Sequence, residues 1–88
     1  MTRRRVVVHG LVQGVFFRDG VQRLAQREGV AGWVRNTRSG TVEAVFEGAE
    51  EAVARLVAYC ETGPAGARVE RVEVSEEAPE GLTGFRIA

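Results

Sequence analysis

The apolar positions of this chain follow two periods, and the points where one gives way to the other mark its elements. Val6, Val7 and Val8 form a β-branched run that stops at Gly10 and Gly14, which predicts a first strand followed by a glycine-bearing loop. From Phe17 the spacing turns helical: Phe17, Val21, Leu24 and Ala25 fall on one face, and Gly29 sits where a left-handed cap closes a helix. Gly32 to Thr37 reads as a second strand, turned at Ser39-Gly40 into a third. There Val42, Ala44 and Phe46 alternate with Glu43, Val45 and Glu47, which predicts one strongly apolar face. Ala49, Ala52, Val53, Leu56, Val57 and Cys60 then repeat at helical spacing, with Glu50 and Glu51 in the first turn, where the helix dipole favours negative charge. Thr62-Gly63-Pro64 ends that helix, "RVERVEVSEE" is a fourth strand, and "GFRIA" is a short final one.

The order is therefore β-α-β-β-α-β with an added terminal strand. It predicts an α+β, ferredoxin-like split β-α-β sandwich: an antiparallel sheet with two helices packed on one face. No repeat, linker or low-complexity stretch divides residues 1–88, so a single domain is expected. In this topology strands one and two run parallel with strand three between them, so their C-terminal ends share one edge, roughly 10 Å apart. One of those ends carries "HGLVQGVFFR" and the other Arg35-Asn36-Thr37. A gap of that size holds a tetrahedral anion and one water.

Composition narrows the chemistry. With 44% apolar residues the chain is globular, and it has no apolar run of about 18 residues to span a membrane. "MTRRR" before "VVVHGLVQGVFF" mimics a secretory signal, but His9, Gln13 and two glycines interrupt it and no small-residue cleavage site follows. The expectation is a cytoplasmic protein, a monomer without membrane or nucleic-acid partners. Twelve basic residues balance twelve acidic ones, yet the balance hides an asymmetry. Residues 1–38 hold eight Arg against Asp19 and Glu28, giving +6, and the remainder holds four Arg against ten Glu, giving −6. Every basic residue is Arg, and the absence of Lys excludes both the GxxxxGK phosphate loop and Schiff-base catalysis. A lone Cys60 closes no disulfide within the chain, and one His with one Cys builds no structural zinc site.

The first loop suits an anion. Gly10 and Gly14 permit backbone conformations closed to other residues, so successive N–H groups can converge. The loop runs into a helix N-terminus, whose free N–H groups favour phosphate. Arg18, in the first turn, could add a planar two-pronged donor. Pattern alone leaves open whether this is a site or only a connection.

"GLVQGVFFR" (Gly10 to Arg18) and "GWVRNTRSGTVE" (Gly32 to Glu43) closely resemble the two signature segments of the acylphosphatase family, and "GPAGARVERVEV" and "GFRI" are similar to its C-terminal pattern. The resemblance covers nearly the whole chain. It implies a hydrolase that works without metal or other cofactor on acyl phosphates, the mixed anhydrides of carboxylic and phosphoric acids. It also implies that Arg18 is the phosphate-binding arginine and Asn36 the water-orienting asparagine. The loop backbone of Gln13, Gly14, Val15, Phe16, Phe17 and Arg18 would cradle the phosphate.

That chemistry asks little of side chains. An acyl phosphate releases a carboxylate, whose conjugate acid has a pKa of roughly 4, so the leaving group needs no general acid. What remains is positioning and charge stabilisation. An ordinary phosphomonoester would leave a poorly stabilised alkoxide and suits this inventory badly.

The other candidates have plainer readings. His9 closes strand one near the loop and reads as a strand-end residue with a hydrogen-bond partner, although substrate is within conceivable reach. Cys60 reads as core, Arg3-Arg4-Arg5 as a solvated strand start, Glu43 and strand four as solvated faces, and Asp19 as a helix-starting charge. Trp33 is open between packing in the sheet and lying beside the site. The rival function is a binding module, since the same topology serves RNA and ligand recognition. Asn36 discriminates: pure phosphate binding has little use for an oriented water.

Overall fold

The computed structural model describes residues 1–88. Its elements are β1 (Thr2–Leu11), α1 (Phe17–Glu28), β2 (Ala31–Asn36), β3 (Val42–Gly48), α2 (Glu50–Thr62), β4 (Arg68–Glu77) and β5 (Phe85–Ile87). They form one five-stranded sheet in the order β4-β1-β3-β2-β5, with β3 between β1 and β2 as the split β-α-β topology predicts. No helix is long and apolar enough to cross a membrane.

Alternation sorts the sheet into two faces. Val6 and Val8 of β1, Val42, Ala44 and Phe46 of β3, and Val34 of β2 are buried on the helix side. Against them pack Phe17, Val21 and Ala25 of α1 and Ala52, Val53, Leu56 and Cys60 of α2. Phe17 meets Tyr59 edge-on at 6.1 Å between ring centroids, which ties α1 to α2. Burial in this apolar layer pushes the Cys60 thiol up to about 12, with Glu61 adding to the shift, so it behaves as an inert core side chain.

The sheet is mixed rather than antiparallel throughout, because β5 pairs parallel with β2. The cause is the connection that precedes it. β4 ends where β1 begins, with Glu77 opposite Arg3, and β2 begins at that same end of the sheet, with Ala31 opposite Glu47. Residues 78–84 cross that end from one edge of the sheet to the other, so a strand entering from them must run the way β2 runs. Four strand spacings are roughly 19 Å, which these few residues span outside any strand, so their amides have no ladder to pair with.

Glu47 supplies the missing partners. Its carboxylate accepts the N–H groups of Glu80, Gly81 and Leu82 at 2.8, 3.1 and 3.0 Å. It also accepts Arg3 Nη1 at 2.6 Å, and both side chains are buried. Burial alone would raise the Glu47 carboxyl; the Glu80 N–H, the Arg3 guanidinium and the Leu82 N–H outweigh it and hold the group at about 2. Arg3 also binds Glu77 Oε1 at 2.8 Å, and Arg5 joins Glu77 to Glu43, each at 2.6 Å. Two expectations are corrected here. Arg3 is 4% exposed, so the arginine run is not a solvated strand start, and Glu43 is held between Arg5 and Arg35 rather than solvated. Val45 and Glu47 are likewise buried, so β3 is covered on both faces. A polar residue can be buried when its charge is fully partnered, and that partnership is assembled from residues more than thirty positions apart.

Candidate active site

The register places the two predicted segments together. Val8 of β1 pairs with Val42 of β3, and Val42 pairs with Asn36 of β2. Val8 and Asn36 thus stand two strand spacings apart on one row, roughly 10 Å, as the topology predicts. Beyond that row the chain leaves β1 and enters the loop that starts α1.

The loop is shaped by two glycines and by one residue that is not glycine. Gly10 lies at a bulge in the β1–β4 pairing, where a Cβ would stand 2.2 Å from the Arg68 carbonyl oxygen. Gly14 has φ +75°. Phe16, directly before the helix, is left-handed too, with φ 64° and ψ 26°, and its ring is 82% exposed. A bulky side chain in that conformation costs on the order of 1–3 kcal/mol, and an exposed ring returns little of it through burial. What the strain achieves is orientation: a left-handed residue next to a right-handed helix turns successive N–H groups toward one point.

Those donors are free. No side chain caps α1, and its hydrogen bonding opens with the Gly20 N–H donating to the Phe16 carbonyl at 3.1 Å. The amides of Phe16, Phe17, Arg18 and Asp19 are therefore the orphan donors of a helix N-terminus, at the positive end of its dipole. Arg18 is half-buried and pairs with no carboxylate, whereas Arg3, Arg4, Arg5, Arg23, Arg35, Arg55 and Arg71 all do. The neighbouring Asp19 is turned to Arg23, 3.3 Å away, so it does not neutralise Arg18.

A cleft of about 290 Å³ brings these groups together, lined by Val12, Gly14, Phe16, Phe17, Arg18, Asp19, Asn36 and Ile87. Asn36 enters it with an unusual feature: its Oδ1 is buried and has no hydrogen-bond partner in the protein. Leaving a buried acceptor unpaired costs about 1–3 kcal/mol, and no group of the protein offsets it, so the Asn36 amide stands at the cleft uncommitted. The arrangement thus offers converging anion donors, one uncommitted cation and one uncommitted acceptor.

Of the loop residues expected to hold phosphate, Gly14, Phe16, Phe17 and Arg18 line the cleft. Gln13 and Val15 do not. The Gln13 amide instead donates to the carbonyls of Thr37 and Thr41, at 2.8 and 2.9 Å, and so fixes the loop to the β2–β3 turn beside Asn36. Val15 packs against the core. His9 donates to the Glu73 carboxylate, and Trp33 lies under Arg5 and Arg35, at 5.5 and 5.8 Å from the ring centroid. Neither lines the cleft, and Trp33, which alternates with Gly32 and Val34, sits on the helix-free face. Sequence reasoning missed Ile87, because nothing in a three-residue strand reveals that it docks beside β2.

Comparison with known proteins gives this geometry a context. The sequence model of the acylphosphatase family matches residues 4–87. An acylphosphatase of Gloeobacter violaceus is 55% identical over 85 residues, covering 97% of this chain and 91% of that one. One of Rubrobacter xylanophilus is 58% identical over 86 residues, covering 97% and 78%. The crystal structure of acylphosphatase from Bacillus subtilis superposes with a TM-score of 0.96 at 38% identity, over 100% of this chain and 99% of that one.

Proposed function

This chain belongs to the acylphosphatase family and hydrolyses acyl phosphates, and from that premise we propose how its cleft does so. The phosphoryl group sits on the loop amides that end at the α1 N-terminus, with Arg18 binding two of its oxygens side by side. The Asn36 oxygen accepts a hydrogen bond from a water and holds it in line with the acyl oxygen. Attack forms a new P–O bond as the bond to the acyl oxygen breaks, and the electron pair leaves on the carboxylate. Asn36 cannot take a proton, so both protons of the water depart on the product, as dihydrogen phosphate. Negative charge that builds on the phosphoryl oxygens meets donors already aimed at them, which is where the barrier is lowered.

The observation that carries this reading is the pair of uncommitted groups in one cleft: the unpaired Asn36 oxygen and the unpartnered Arg18. A phosphate-binding module would account for the second but not the first. We take residues 1–88 as one domain acting as a cytoplasmic monomer on a small molecule, without nucleic acid. The purified chain should hydrolyse acetyl phosphate at full rate in the presence of a chelator. Phosphate binding without turnover would replace the enzyme by the binding module.

A further inference from the structure

Five large apolar side chains are exposed on this protein: Met1, Leu11, Phe16, Val74 and Ile87. Two of them, Phe16 and Ile87, line the same cleft that holds Arg18 and Asn36. Phosphate itself has no use for an apolar wall. Nor does the fold, since the Phe16 ring is 82% exposed and contributes nothing to the core. The left-handed backbone at Phe16 explains where its amide points but not why the side chain is aromatic; glycine would take that conformation without strain.

We propose that the Phe16 ring is the acyl-binding surface of the cleft and makes the enzyme selective for acyl phosphates with an apolar acyl chain. This rests on the reading of the cleft given above. In-line displacement puts the acyl oxygen on the side of phosphorus away from the water held by Asn36. Ile87 stands diagonally across from Asn36 on the same face of the sheet, because its partner Val34 is two residues before Asn36 on β2. It therefore flanks the water side. Phe16 belongs to the loop instead and is the more exposed of the two, so it offers an acyl chain the larger apolar surface of the cleft. Ile87 contributes at most a secondary contact, where a longer chain folds back across the cleft.

The test is a chain-length series. Acetyl, butyryl and hexanoyl phosphate share nearly the same leaving-group acidity, so differences in kcat/KM report contact with the acyl chain. For the native chain, kcat/KM should rise about two- to fourfold per methylene, the upper figure being that of a fully buried methylene. Phe16→Ala should flatten this rise, Phe16→Tyr should restore it, and Ile87→Ala should reduce it less than Phe16→Ala does. Competitive inhibition by inorganic phosphate, measured in each variant, reports whether the anion cradle itself is intact. A flat series in the native protein, or a slope that Phe16→Ala leaves unchanged, overturns the proposal while leaving the catalytic reading standing. Failure to hydrolyse even acetyl phosphate would instead overturn the catalytic reading.

Discussion

The two ends of β1 use arginine in opposite ways. At its start, Arg3 and Arg5 are locked into Glu47, Glu77 and Glu43, and the central pair is buried. Beyond its other end, roughly 25 Å along the strand, Arg18 faces a cleft with no carboxylate partner, beside amides without acceptors and an unpaired Asn36 oxygen. The first end is saturated, and its role is to anchor the strap that carries β5. The second is left unsaturated, and the unmet hydrogen bonding there is what a phosphoryl group and a water can complete. Stability and catalysis thus draw on the same residue type, separated by whether the protein itself supplies the counter-charge.

The comparison is tested most severely at Arg18. Arg18→Ala should lower kcat/KM for acetyl phosphate by on the order of a thousandfold, in line with removal of a key donor to transition-state charge, while leaving the melting temperature nearly unchanged. A comparable loss of stability would place Arg18 among the structural arginines. Asn36→Ala should lower kcat by roughly a hundredfold or more with little change in KM, because the water and not the phosphate loses its contact. The same variant should be neutral or slightly stabilising, since it removes a buried unpaired oxygen. A rise in KM at constant kcat would move Asn36 from positioning water to binding substrate.

Glu47→Gln should show the reverse pattern. It removes the buried one of the carboxylates that pair with Arg3, leaving the part-exposed Glu77 to hold the guanidinium, so unfolding free energy should fall by about 3 kcal/mol, or roughly 10–20 °C in melting temperature. Turnover of the folded fraction at 25 °C should change by no more than a few-fold. The carboxyl of Glu47 is held at about 2 in the folded protein. Its stabilisation is therefore complete above its unfolded value, about 4.3, and is lost as pH falls from there toward 2. Denaturation measured across that window should lose less stability in Glu47→Gln than in the native chain. Equal slopes would mean that Glu47 is not the carboxylate that the strap holds ionised.

Much of this architecture is legible without coordinates. The helical spacing from Phe17 and from Ala49, the Gly29 cap and the Ser39-Gly40 turn mark the elements. Their order then brings the ends of β1 and β2 to one edge. That order also brings the segments of Arg18 and Asn36 together, but their selection as the candidate catalytic pair came from the resemblance of those two segments to the family's signature motifs. The second face of the sheet was not legible. Alternation along β3 separates Val42, Ala44 and Phe46 from Glu43, Val45 and Glu47, and polarity alone assigns the latter to solvent. Whether Glu47 is solvated depends on Arg3, Glu80, Gly81 and Leu82, and no local pattern announces contacts across such distances in the chain.

The sequence by itself therefore determined the elements, their order and the two segments that meet, because these follow from local periodicity, turn residues and the handedness of strand connections. Only the tertiary structure decided that β5 enters parallel beside β2, that the first arginines are buried in an ion-pair network, and that Trp33 faces away from the cleft. It also decided that Phe16 is left-handed and that the Asn36 oxygen is left unpaired. Each of these depends on which distant groups satisfy a charge or a hydrogen bond, and that balance exists only once the chain is folded.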